Sequence, residues 1–149
     1  MTANNQTIIS NQLLTLSDNL TALSIPLFTT KISAGFPSPA DDHIESQIDL
    51  NQLLISRPSA TFMLRVEGDS MIGASINDGD LLIVDRSENA VNGSIVIASV
   101  HGELTVKRLK KNSTGTWLMP ENPAYKPITI GEGSDYLIWG CVKYAIHSY

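Results

Sequence analysis

Only one cysteine, Cys141, occurs in the 149 residues. A lone thiol cannot close an intramolecular bridge, so a reducing cytoplasm is the simplest compartment and Cys141 reads as a buried, inert thiol. Long apolar runs are missing too, and no basic residue precedes Lys31. Neither a secretory signal nor a membrane-spanning helix is therefore expected. Basic side chains are scarce: 10 Lys and Arg face 15 Asp and Glu, a net charge of −5 that argues against generic nucleic-acid binding through phosphates. The three histidines, His43, His101 and His147, show no ligand spacing. Asn77-Asp78-Gly79-Asp80 lacks the remaining ligands of a calcium loop and reads as a turn. No metal and no cofactor are expected.

What is present is enough apolar material for one packed domain, 42% of residues, unevenly distributed. Residues 1–23 are rich in Asn, Thr, Ser and Gln, with apolar pairs only at Ile8-Ile9 and Leu13-Leu14, and read as a mobile tail. Residues 24–46 carry Pro26, Gly35, Pro37 and Pro39 without sustained periodicity, so an extended arm over the domain surface is expected there. The compact domain should span 47–149. It opens with a short helix: Asp49 is suited to cap it, Leu50, Leu53 and Leu54 follow at helical spacing, and Pro58 ends the turn.

Beyond Ala60 the pattern is β. Strands are expected at Thr61–Glu67, Asp80–Arg86, Ser94–Val100, Glu103–Lys110, Thr116–Met119, Pro127–Ile130 and Tyr136–His147, separated by Gly, Asn, Asp and Pro clusters. His101-Gly102 has the length and composition of a two-residue hairpin loop. Several strands are near-continuous apolar runs, which implies burial on both faces in a folded-over sheet or partly open barrel. Trp117 and Trp139 are expected in the core or on a dimer face.

Two residues carry the chemistry. Ser70, in Gly68-Asp69-Ser70-Met71, follows a strand and precedes a glycine-containing bend, but a serine hydroxyl is too weakly acidic to attack unaided. Lys107, in Glu103-Leu104-Thr105-Val106-Lys107-Arg108-Leu109, sits on an otherwise apolar strand where burial would push its amine toward the neutral, basic form. Strand alternation puts Thr105 and Lys107 on one face, so the threonine hydroxyl can orient the amine, or be simply a β-branched strand residue. Arg108, Lys110 and Lys111 can be solvated at the sheet end while Lys107 turns inward. Asp69 reads as a turn former rather than a catalytic acid.

From Gly35 to Tyr149 the chain resembles the UmuD-type SOS mutagenesis proteins, relatives of the C-terminal peptidase domain of LexA repressors. The resemblance rests on Ala34-Gly35-Phe36-Pro37-Ser38-Pro39-Ala40, Ile48 to Leu54, Pro58-Ser59-Ala60-Thr61, Gly68-Asp69-Ser70-Met71, Asp78 to Asp85, Leu104-Thr105-Val106-Lys107 and Met119-Pro120-Glu121-Asn122. The spacings from Gly35 to Ser70 and from Ser70 to Lys107 also agree with the family pattern.

The resemblance implies a mainly β, barrel-like fold with a short helix and an extended N-terminal arm. It implies a Ser70/Lys107 peptidase that cuts its own Ala34-Gly35 bond, with backbone amides near Ser70 and Met71 holding the oxyanion. The family often has Cys before the scissile bond; Ala, as at the LexA site, is a mild departure. The small pair Ala34-Gly35 suits a narrow pocket, and Phe36-Pro37 should hold the chain extended there. Signal peptidases share the chemistry but act from a membrane anchor. By the same resemblance the chain homodimerises, is stimulated by a RecA filament on single-stranded DNA, and once cut serves a UmuC-type Y-family polymerase in translesion synthesis. The 34 residues ahead of the bond are too few and too polar for a helix-turn-helix domain, so no sequence-specific DNA binding is expected. Two other readings stay open: a non-catalytic module regulating a polymerase or a dimer partner, and a LexA-type transcription regulator.

Overall fold

A computed structural model describes residues 22–28, 31–36 and 44–149. The reading of residues 1–23 as a mobile tail falls almost wholly outside the described residues, as do Pro37, Pro39 and His43. The described chain forms two compact units, residues 22–56 and Arg57–Tyr149, each taken by itself.

In the first unit, β1 (Ser24–Phe28) pairs antiparallel with β2 (Ile44–Asp49), from Ser24 opposite Asp49 to Phe28 opposite Ile44. Residues 24–46 are expected from sequence to run as an extended arm over the domain surface; both ends of that stretch are strands, and they pair with each other. Local signals could not reveal this, because residues 29–43 intervene and hairpin chemistry is legible only across a short turn. Pro26, which has no amide to donate, is tolerated because a two-stranded ribbon has a free edge on each strand. The helix α1 (Leu50–Leu54) follows directly. Asp49 caps it, its carboxylate accepting from the Asn51 amide at 2.9 Å. Leu50 and Leu53 are exposed, so the apolar stripe at helical spacing is not core.

The second unit is one seven-stranded antiparallel sheet, curled into a half-barrel. Its strands are β3 (Thr61–Arg65), β4 (Leu81–Asp85), β5 (Ile95–Val100), β6 (Glu103–Asn112), β7 (Gly115–Met119), β8 (Ile128–Ile130) and β9 (Tyr136–Ile146). Across the sheet the order is β3-β4-β9-β5-β6-β7-β8. All seven expected strands are present, with ends shifted by one or two residues. β9 lies between β4 and β5, and its pairing slips once against β4, between Ile83 and Val84, and once against β5, between Ile97 and Ala98. Such bulges bend a strand and increase its twist, which is how a sheet of this width curls instead of lying flat.

Burial on both faces is plain in β5. Val96 and Ala98 pack with Leu109, Leu118 and Cys141, whereas Ile97 between them packs with Phe62, Met71, Leu82 and Val84. Each fully buried Val or Ile contributes roughly 1.5–3 kcal/mol, so the adjacent apolar residues of this strand stabilise two cores at once. Trp139 meets the Phe62 ring edge-on at 6.5 Å. Trp117 is only half buried, with Lys110 Nζ 5.3 Å from its ring centroid. The β5–β6 turn is the two-residue loop expected: His101 and Gly102 have φ of 50° and 82°, the left-handed pair that a tight hairpin requires. Among the described residues no helix is long and apolar enough to cross a membrane, and no cluster of His, Cys, Asp or Glu is arranged to hold a metal ion.

Candidate active site

Ser70 lies on the chain leaving β3. The ladder is prolonged past Arg65 by Val66 N to Asp80 O (2.8 Å) and Gly79 N to Val66 O (2.9 Å), after which the chain turns at Gly68. Met71, only 1% exposed, drives the next side chain into the core and so fixes Ser70 at the rim. A 3-10 turn over Ile72–Ala74 follows. Its Gly73 is required by close approach: a Cβ there would stand 2.5 Å from the Glu121 carbonyl oxygen. Among the described residues the Ser70 and Met71 amides have no acceptor.

Lys107 reaches this turn from β6, 37 positions along the chain. Its Nζ is 3.0 Å from Ser70 Oγ, 2.8 Å from Thr105 Oγ1 and 3.0 Å from the Val106 carbonyl oxygen. The residue is 8% exposed, and burial holds its pKa below the ordinary lysine value of 10.5. No carboxylate among the described residues pairs with it. That absence matters, since a nearby carboxylate would stabilise the ammonium and raise the pKa again. Three acceptors still satisfy its three protons when charged; once deprotonated, the amine offers a lone pair to the serine hydroxyl. Thr105 touches Lys107 as alternation along the strand indicates.

Both side chains face a cleft of about 460 Å³. Leu64, Val66, Leu82, Ile97 and Val106 give it an apolar lining; Asp69, Thr105 and Tyr125 add polar groups beside Ser70 and Lys107. With Arg65 and Glu67 also in its lining, the cleft offers polar as well as apolar surface beside Ser70 and Lys107.

Arg108 departs from expectation. Instead of being solvated with Lys110 and Lys111, it donates from Nε to the Glu121 carboxylate and from Nη1 to the Gly93 carbonyl (2.7 Å). The structure thereby brings in a segment to which the sequence assigned no role. Glu121 N donates to the Ser70 carbonyl (2.8 Å), Gly73 N donates to the Glu121 carbonyl (2.7 Å), and Asn122 Nδ2 donates to the Asp69 carbonyl (3.0 Å). Met119-Pro120-Glu121-Asn122 was its only signal in the sequence, as part of the resemblance.

Ala34 and Gly35 lie in the other unit, in the connection between β1 and β2. They are not extended as the sequence suggests. Residues 34–36 form a bend, with the Gly35 amide donating to Ser33 Oγ at 3.2 Å. Ser33 competes locally for that amide, as hydroxyl side chains commonly do in turns. The flanking Ile32 and Phe36 are 94% and 89% exposed.

Comparison with known proteins joins these features. The family described as Peptidase S24-like matches residues 26–143, a span that includes both the bend at Gly35 and the Ser70–Lys107 contact. Protein ImpA of Salmonella typhimurium is 44% identical over 128 residues, 82% of this chain and 83% of that protein. Protein MucA of Escherichia coli is 44% identical over 124 residues, 83% of this chain and 84% of its own. LexA repressor 1 of Xanthomonas campestris is 41% identical over 119 residues, 79% of this chain but 58% of the repressor. A serine on a turn, a buried lysine at hydrogen-bonding distance and this extent of shared sequence lead to one conclusion: the chain belongs to the Peptidase S24-like family.

Proposed function

We propose that the protein is a self-cleaving serine peptidase in which Ser70 is the nucleophile, Lys107 the general base and Ala34-Gly35 the bond cut. The observation that carries the reading is the 3.0 Å contact between Ser70 Oγ and a buried Lys107 amine with no carboxylate partner among the described residues. Neutral Lys107 takes the hydroxyl proton as Ser70 Oγ attacks the Ala34 carbonyl carbon. The oxyanion is met by the Ser70 and Met71 amides, whose lack of other acceptors supports the assignment. As the tetrahedral intermediate collapses, the C–N bond breaks, and the Lys107 ammonium returns its proton to the departing Gly35 amine. Water then attacks the Ser70 ester, giving up a proton to Lys107, and frees the Ala34 carboxylate and Ser70. Thr105 holds the amine on the line of transfer.

Before attack the bend at 34–36 must open, because a scissile amide engaged by Ser33 is not presented as a strand. Cleavage is therefore limited by docking of the segment rather than by the chemistry, and any partner that favours the docked form accelerates it without adding a catalytic group. We assign that role to a RecA filament on single-stranded DNA. We assign to the processed homodimer the role of accessory subunit to a UmuC-type Y-family polymerase, acting in the SOS response in the cytoplasm. The resemblance to UmuD-type proteins and the identity to ImpA and MucA support this.

The test is incubation of the pure full-length chain at alkaline pH with mass spectrometry of the products. A fragment beginning at Gly35 is expected from the natural sequence and none from Gly35→Glu. A cut elsewhere, or one that persists in Gly35→Glu, overturns the assigned bond.

A further inference from the structure

Lys107 is held by its own strand, but the Ser70 turn is held from outside. The one backbone hydrogen bond that closes it locally, Ile72 N to Asp69 O, is long at 3.4 Å. Shorter bonds come from residues 121–125. Glu121 takes the Ser70 carbonyl and Gly73 amide as described, and Asn122 Nδ2 takes the Asp69 carbonyl. Tyr125 adds a fourth, its hydroxyl donating to Asp69 Oδ1 at 2.5 Å. Asp69 is thus gripped at its carbonyl and at its carboxylate, on the residue immediately before the serine.

The gripping element is itself rigid. Asn122 Oδ1 accepts from the Ala124 amide (3.0 Å), and the Tyr125 amide donates to the Asn122 carbonyl (3.1 Å). With Pro123 in the second position, this is a turn whose asparagine caps the chain and whose proline sets φ in advance. Asn122 therefore spends its carbonyl oxygen on shaping its own turn and its amide nitrogen on Asp69. Burial does not explain such an arrangement, because Tyr125 is 44% exposed and the Tyr125–Asp69 bond lies in solvent at the cleft. Ordering an exposed tyrosine costs side-chain entropy, and little apolar area is removed from water in return. The arrangement makes sense as aim: the angle of the serine turn decides whether Oγ meets a docked carbonyl while the Ser70 and Met71 amides face the oxyanion. A misplacement of about 1 Å can cost a hundredfold in rate.

We propose that Asn122 and Tyr125 are positioning residues for Ser70, acting through Asp69. This rests on the reading of Ser70 as nucleophile. Neither residue takes part in proton transfer. Hydrogen bonding to Asp69 raises the Tyr125 pKa, which favours the protonated hydroxyl that acts as donor.

The test is the rate of self-cleavage of full-length variants across pH, with thermal melting alongside. Tyr125→Phe is expected to lower the plateau rate about ten-fold, the consequence of losing one hydrogen bond, with the pH midpoint and melting temperature unchanged; Asn122→Ala, which loses two, should lower it at least as much with the midpoint unchanged and a small drop in melting temperature. Asn122 does not line the cleft, so its effect separates aiming the serine from contacting the substrate. Asp69→Ala should match the loss in Tyr125→Phe. Asp69→Asn, whose amide oxygen still accepts from the tyrosine, should lose no more than about three-fold. Wild-type rates in Tyr125→Phe and Asn122→Ala, with Ser70→Ala inactive, overturn the positioning roles and leave the nucleophile standing. A midpoint displaced upward also overturns them, because it means the variants admit water to Lys107 instead of misaligning Ser70. Cleavage persisting in Ser70→Ala removes the nucleophile itself, and the positioning inference falls with it.

Discussion

The Ser70 turn and the Ala34-Gly35 bend are built to opposite standards. Around Ser70 and Lys107, three hydrogen bonds hold the amine, the serine turn is tied to residues 121–125, and Met71 is sunk in the core. Around Gly35, among the described residues, one hydrogen bond donated by its amide to a neighbouring serine shapes the chain, and the apolar side chains on either side are in water. Under the self-cleavage proposed above, the difference would be a division of labour. A catalytic group gains from being fixed in advance, because ordering it during the reaction would add to the barrier. A substrate segment that must dock and undock cannot be fixed in the same way, since every contact holding it in the undocked form has to be lost.

The largest effect is expected where chemistry is removed without disturbing structure. Ser70→Ala and Lys107→Ala are expected to lower self-cleavage by about a thousandfold or more, the scale of losing a nucleophile or its base. Melting temperature should hold or rise, because neither side chain fills the core and burying an amine costs stability. Mass spectrometry of the incubated chain and a thermal melt decide the matter. Residual cleavage near the natural rate would show that the rigid half is not the catalytic half.

Acidity has the next largest effect. Burial depresses the Lys107 pKa, so the neutral base becomes available as pH rises through the folded-state value, and cleavage should accelerate up to a plateau below 10.5. Stability moves in the same direction. Between the depressed folded value and the ordinary 10.5, the unfolded chain binds a proton that the folded one has released, so unfolding becomes harder as pH rises. Lys107→Met should abolish that part of the pH dependence, which urea titrations at successive pH values would register.

Gly73→Ala tests the rigid half by strain. The added Cβ would stand 2.5 Å from the Glu121 carbonyl and 3.3 Å from its carbon, backbone atoms that cannot swing away. Overpacking of this kind costs about 1–3 kcal/mol and should slow cleavage by tilting the serine turn. Unchanged melting and unchanged rate together would mean that residues 121–125 grip nothing of consequence.

The smallest effect belongs to the loosely held half. Ser24 Oγ donates to Gln47 Oε1 at 3.0 Å across β1 and β2, in full exposure. Ser24→Ala should change stability by no more than about 0.5 kcal/mol. A larger loss in calorimetry would show that the ribbon carrying the Ala34-Gly35 connection is bound more firmly than its contacts suggest.

Local regularities made much of the molecule legible in advance. Runs of strand-forming residues bounded by turn chemistry located seven strands, and local signals gave the His101-Gly102 hairpin and the Asp49 cap, because each depends on residues a few positions apart. Alternation along one strand put Thr105 beside Lys107. Two things escaped. The β1–β2 pairing crosses residues 29–43, too far for any short-range rule, and Arg108, in a run of basic residues that reads as solvated, turns instead to Glu121. By itself, then, the sequence determined which segments are strands, where they turn and which residue types are suited to the chemistry. Only the tertiary structure decided that Ser70 meets Lys107, that the amine is buried without a carboxylate, and that residues 121–125 close on the serine turn. The physical reason is distance along the chain: strand and turn preferences are paid residue by residue, whereas these contacts exist only after a bulged sheet has curled and brought remote segments to one rim.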